Sequence, residues 1–259
     1  MFRKKMITVL LCLTMLLPLA ACGKADGYVQ FSSGLPAREL CVGCREGDPL
    51  LETLRAALQV RIADGTEAML AQRWFGKDIC TMKGNAEALN GLELQSGRVL
   101  IMGFDASSMP FAGMDEADEP QGYEIELAES VCALLGWELR ILPIECANVA
   151  VELASGEVDC VWGGISLPED KSIAGFAYMK TDYVFISLQH SHVRKFKQLQ
   201  DKNVSYPQFA QNAATALALE ENTATAARLS DTDSCFAALI SGRCDAVLTD
   251  AVAASWARR

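Results

Sequence analysis

The chain has 259 residues, with 33 acidic, 23 basic and two histidine side chains, for a formal net charge of −10. That acidic balance excludes the basic footprint on which nucleic-acid binding depends. With 51% hydrophobic residues, the length suffices for one large domain or two lobes, each with a core.

Residues 1–21 read as a secretion signal: Arg3, Lys4 and Lys5 form a basic end, and the apolar run from Met6 to Leu19 is too short for a membrane span. Leu19-Ala20-Ala21-Cys22 resembles the bacterial lipobox, which makes Cys22 the expected lipid attachment and the mature N-terminus. Acyl chains on Cys22 would hold the protein on the outer face of the cell membrane, each buried methylene contributing about 0.8 kcal/mol. Without residues 1–21 the charge becomes about −13.

Next comes "GYVQFSSGLPARELCVGC", whose end reads as a strand; Cys41 and Cys44, three apart, therefore face opposite sides, and zinc or thiol-redox chemistry is not expected of them. Asp48 is placed to cap a helix with Pro49 at its first position and Leu51, Leu54, Leu58 and Ile62 on one face. Gly65 stops that helix, Thr66 can cap a second, and Gly76 stops the second. Residues 79–97 read as a linker with a random-coil reach of roughly 24 Å.

From residue 98 strand and helix patterns alternate. "RVLIMGF" is a continuous apolar strand ending at Asp105, "YEIELAESVCALLG" a helix stopped by Gly136, "WELRIL" a strand, "NVAVELASG" a short helix and "EVDCVW" a strand. This βαβαβ order implies a parallel sheet with helical crossovers. After "TDYVFISLQ", a second unit runs through "KNVSY" (strand), "AQNAATALALEE" and "SCFAALISG" (helices), "CDAVLT" (strand) and "AVAASWA" (helix), with few strands for a sheet of its own. Cys132, Cys160 and Cys244 fall inside these apolar patterns and behave as small hydrophobes. His190 and His192 lie in a polar stretch without further ligands nearby, so no metal and no cofactor is expected.

Several of these stretches resemble bacterial extracellular solute-binding proteins of the polar amino-acid type: "CREGDPLLETLRAALQVRIADGTEAMLAQRWFGKDI", "QGYEIELAESVCALLG", "GEVDCVWGGIS" and "GRCDAVLTDAVAASW". In that family the first of them closes the chain; here it lies near the front. The resemblance therefore implies a two-lobed, periplasmic-binding-protein-like α/β fold of type II, circularly permuted. The new ends lie in the smaller lobe, and residues 79–97 join the family's old end to its old start. The expected division is a leader at 1–21, an anchor and the start of the second lobe at 22–39, the first lobe at 40–182 and the second lobe at 183–259. A truncated chain beside the relic of a neighbouring copy is the rival account. It is disfavoured because each family element occurs once.

In two α/β lobes joined by crossing strands, a ligand sits between the carboxyl ends of the strands. Three strand ends carry polar groups: Asp105, the run Gly163-Gly164-Ile165-Ser166, and Asp250. By resemblance, Asp105 and Asp250 lie near a ligand ammonium, Gly163, Gly164 and Ser166 bind through backbone and hydroxyl, and Lys171 stands where the family has a carboxylate-gripping arginine. Ser108 and Cys146 replace the family's aromatic sandwich, leaving Phe111 and Trp162 as substitutes, and "PQFAQN" replaces a glycine-rich turn. The implied function is a lipid-anchored subunit of an ABC importer, with a small amino acid or related zwitterion as ligand and the importer's membrane subunits as partners. The alternatives are a dehydratase-like secreted enzyme on the same scaffold and an extracellular sensory lipoprotein with a silent cleft.

Overall fold

The computed structural model describes residues 27–259; Cys22 and the expected leader lie outside the described residues. In chain order the elements are β1 (Tyr28–Ser32), β2 (Arg38–Arg45), α1 (Leu50–Ala63), α2 (Thr66–Phe75), β3 (Val99–Phe104), β4 (Ser107–Ser108), β5 (Ala112–Met114), β6 (Pro120–Gln121), α3 (Tyr123–Leu135), β7 (Glu138–Pro143), α4 (Val149–Ser155) and β8 (Cys160–Val161). There follow β9 (Ile173–Thr181), β10 (Tyr183–Leu188), β11 (Asn203–Pro207), α5 (Gln211–Ala216), α6 (Leu219–Asn222), β12 (Thr225–Leu229), α7 (Thr232–Ile240), β13 (Ala246–Asp250) and α8 (Ala251–Trp256).

These elements build two α/β lobes. The first lobe's sheet has the order β7-β3-β8-β2-β9, with β7, β3 and β8 parallel and β2 antiparallel to both neighbours. The second lobe's sheet runs β1-β10-β13-β11-β12, with the last three parallel and β10 antiparallel to β1 and β13. Period-two alternation along β10 sends Val184 and Ile186 into the core under α7 and Phe185 into the core under α5. The chain crosses between lobes through residues 33–37 and again at Asp182. The crossings lie side by side, since Arg38 pairs with Thr181 and the Ser33 hydroxyl donates to the Tyr183 carbonyl at 2.7 Å.

The two front helices pack on the first lobe. Leu54, Leu58, Leu70 and Phe75 share a core with Ile125, Leu127 and Val131, and Arg61 donates twice to the Ser130 carbonyl. Their entry differs in detail from the capping expected above. The Asp48 carboxylate accepts from the Leu50 N–H at 3.0 Å, but Pro49 is the N-cap and Leu50 the first helical residue; the second helix is entered through Asp64, which accepts from the Thr66 N–H at 2.9 Å, so Thr66 is itself helical. Residues 79–97 are docked rather than coil-like: the Thr81 N–H donates to the Tyr178 carbonyl, the Asn85 N–H to Gln59, and the Trp137 indole to Gln95.

In the second lobe the helix read over "AQNAATALALEE" is broken into α5 and α6, because Ala218 adopts φ 46°. Beyond it lies β12, a strand the sequence patterns had not indicated. The lobes also touch away from the crossings, where the Trp74 ring of α2 lies 5.4 Å from the Trp256 ring of α8. Among the described residues all eight cysteines are free, and no group of three His, Cys, Asp or Glu side chains is gathered to hold a metal.

Candidate functional site

Strands β3, β8 and β13 end beside the space between the lobes: Asp105, Gly164 and Ser166 line its cavities, while Gly163, Ile165 and Asp250 are buried next to them. Asp250 is fully buried. Its Oδ1 caps α8 by accepting from the Val252 and Ala253 N–H groups at 3.0 and 2.9 Å, and its Oδ2 accepts from Nη1 of Arg38 at 2.7 Å. Arg38 is the residue that sequence reasoning missed. It opens β2 beside the crossing, its side chain is 1% exposed, and Nη2 donates to the Ser108 hydroxyl at 2.9 Å and the Gly164 carbonyl at 2.6 Å. The Phe209 ring of the second lobe lies 3.9 Å from the guanidinium carbon, and Phe111 lies 5.7 Å away. Burial opposes the charge on Arg38, but Asp250 and the nearby Tyr183 and Asp105 outweigh it and raise the pKa above the ordinary arginine value.

Asp105 is likewise engaged. Oδ1 accepts from the Ser107 N–H and hydroxyl at 2.9 and 2.7 Å, and Oδ2 from the Cys146 thiol at 3.0 Å. Burial, reinforced by Asp105, holds the Cys146 pKa well above that of a free thiol, so the donor keeps its proton. Ser166 is exposed, and its hydroxyl donates to the Glu39 carbonyl at 2.6 Å.

The other expected contacts fall elsewhere. Lys171 is exposed just before β9 and does not line the cleft cavities. Trp162 is fully buried in the first-lobe core, its indole N–H donating to the Tyr178 hydroxyl at 2.9 Å; Phe111 belongs to the same core, beneath Arg38 rather than in the cleft wall.

Three of the cavities are walled by both lobes, the smallest, of about 220 Å³, lying by Met109, Met114 and Trp256. One of about 240 Å³ is lined by Arg38, Gly164, Ser166, Tyr183, Phe209 and Arg228 among others. A larger one, of about 530 Å³, carries Asp105, Glu145, Glu152 and Asp231 and no basic residue. Glu145 and Gln208 line both.

Gly164 is held from behind by a buried carboxyl. Its N–H donates to Glu124 Oε2 at 2.5 Å, and the Tyr178 hydroxyl donates to Oε1 at 2.6 Å. Burial pushes the Glu124 pKa up from 4.5 to about 7 against these hydrogen bonds. A carboxyl with a raised folded pKa binds its proton more tightly in the native state. Its stabilisation is therefore full below the unfolded pKa and is lost as pH rises through the folded one. Between pH 4.5 and 7 this group should withdraw about 3 kcal/mol of stability. Urea titrations at intervals across that range should show the decline in the parent and its flattening in Glu124→Gln.

A polar cleft at the strand ends of two α/β lobes is a place for a solute. Residues 100–232 match the sequence pattern of the bacterial extracellular solute-binding proteins, family 3. The chain belongs to this family. Over 108 residues it is 30% identical to the arginine-binding extracellular protein ArtP of Bacillus subtilis (strain 168), a match covering 40% of this chain and 42% of that protein. The matched region thus spans less than half of that curated relative.

The fold is similar to that of an ABC uptake transporter substrate binding protein from Streptococcus pneumoniae with bound histidine. There the TM-score is 0.53 and the identity 23%, over 61% of this chain and 68% of the other. An ancestral arginine-binding protein bound to arginine has a TM-score of 0.50 at 22% identity, over 63% and 75% of the two chains. The family match covers Asp105, Gly163, Gly164 and Ser166. Arg38 and Asp250, which close the buried cluster, lie on either side of it.

Proposed function

We propose that this family 3 protein is the substrate-binding subunit of an ABC importer, tethered by lipid on Cys22 and binding an amino acid with a cationic side chain between its lobes. The observation that carries the ligand class is the acid-lined cavity of about 530 Å³ beside a smaller one that presents Arg228. An elongated basic amino acid fits that polarity with its side-chain cation toward Glu145, Glu152 and Asp231 and its carboxylate toward Arg228. The relatives named for arginine and the one holding histidine support the same class. At a hundred times its dissociation constant, arginine or lysine should stabilise the protein by about 2.7 kcal/mol, whereas glutamate should leave it unmoved. Thermal shift reads this directly, and equal responses to arginine and glutamate would remove the charge argument.

The same reading includes the circular permutation, with the first lobe boundary in the crossing at residues 33–37 rather than at 39/40, because β2 already begins at Arg38 in the first-lobe sheet, and the second at 182/183. It is supported by the docking of α1 and α2 on α3 and by the pairing of β1 with β10, which place the front segment in both lobes. For the anchor, Cys22→Ser should shift the protein from the membrane fraction to the medium or leave it unprocessed. Normal processing with full membrane retention would refute acylation.

A further inference from the structure

The two carboxylates expected to receive a ligand ammonium are already occupied, and the group on Asp250 belongs to the chain itself. Arg38 meets Asp250 from the second lobe, Ser108 and the Gly164 carbonyl from the first, and the face of Phe209 from the second. A carboxylate, a hydroxyl, a carbonyl and an aromatic face together make a receptor for an organic cation. Ser108 is small enough to leave the guanidinium its place, and the Arg38 side chain is 1% exposed.

We propose that Arg38 is a tethered occupant of the cleft's cation subsite: it plays the part of a ligand's cationic group, holds the lobes together without a solute, and leaves the α-ammonium of any incoming solute without Asp250 as a receptor. This goes beyond the importer reading, on which only the statement about the incoming solute rests. The device is covalently attached at the hinge, because Arg38 sits at the first position of β2, paired with Thr181 where the second crossing begins. Its contacts therefore form intramolecularly, with no cost of capturing a free solute. A solute that uses the cleft must bind beside Arg38 or displace it from acceptors in both lobes.

The experiment removes the tether and offers the group back in solution. Arg38→Ala should gain saturable calorimetric binding of methylguanidinium, with a dissociation constant on the order of 0.1 to 10 mM, as expected for so small a ligand. The parent and Arg38→Lys, whose subsites stay filled by a cation, should show none. Equal binding to parent and variant, or none to a folded Arg38→Ala, overturns the proposal.

Small-angle scattering on the parent, unfolded and refolded to strip any solute, keeps the test decisive if Arg38→Ala does not fold. A radius of gyration unchanged by arginine and equal to that of the closed two-lobed structure supports the tether. An open protein, whether or not arginine closes it, overturns the tether. Arginine closing an open parent would at the same time support the importer reading. A closed parent that ignores every amino acid, beside a methylguanidinium-binding Arg38→Ala, would leave the tether standing and remove the importer reading.

Discussion

Asp250→Ala should destabilise the protein by about 4 to 6 kcal/mol, more than any other single change at the cleft. Two effects add. The substitution strands a buried guanidinium, for which removal of one partner of a buried pair typically costs about 3 to 5 kcal/mol. It also deletes the cap that holds the Val252 and Ala253 N–H groups, worth about 1 kcal/mol. The asymmetry of the pair gives the check. In Arg38→Met/Asp250→Ala no charge is left unpaired, and stability should recover to within about 2 kcal/mol of the parent, since apolar replacements of buried ion pairs are often near neutral. Denaturant titration of the parent, both single variants and the double variant closes the cycle. A loss below about 1.5 kcal/mol in Asp250→Ala would mean that solvent reaches Arg38, against the burial described above.

What the sequence displayed and what it hid divide along the range of the interactions. β3, α3, β7 and β13 announce themselves because each satisfies its own periodicity, and Gly76 and Gly136 stop their helices where the backbone turns left-handed at φ 70° and 68°. β12 stayed hidden because it is an edge strand of Thr, Ala and Arg, largely exposed, with no apolar alternation to betray it. The break at Ala218 had no glycine or proline to mark it.

The site shows the same division. Asp105, Gly163, Gly164 and Asp250 were legible as the ends of apolar strands; Asp105 and Gly164 line the cleft cavities, while Gly163 and Asp250 are buried beside them. Trp162 and Phe111, the substitutes for the family's aromatic sandwich, flank β8 and β5 and pack into the first-lobe core instead of the cleft. Lys171 was placed by resemblance alone, and the turn before β9 leaves it in solvent. Arg38 had no local signature: an arginine at the start of a strand is ordinary, and its meaning lies in a partner 212 residues away. Only the two crossings, which bring residues 38 and 181 side by side at the hinge, make that contact visible.

Gly164→Ala is the second change expected to have a large effect, and it tests how tightly the cleft floor is built. Gly164 has φ 71°, where a side chain costs about 1 to 2 kcal/mol, and a Cβ there would stand 2.2 Å from the Cβ of Ser108. Relieving that overlap must move either the Ser108 backbone or the 163–166 loop, and overpacking of this kind typically costs about 1 to 3 kcal/mol more. The loop cannot yield freely, because the Gly164 N–H is held by Glu124 and its carbonyl by Arg38. A total of about 2 to 5 kcal/mol should therefore be lost. The two contributions separate in Ser108→Gly/Gly164→Ala, where the steric part vanishes and the backbone part remains. If the double variant is more stable than the sum of its single changes by about 1 kcal/mol or more, the overlap is real and the floor is rigid. Strict additivity, read by denaturant titration, would mean that the loop moves aside, and Arg38 would then lose the carbonyl that helps to hold it in the cleft.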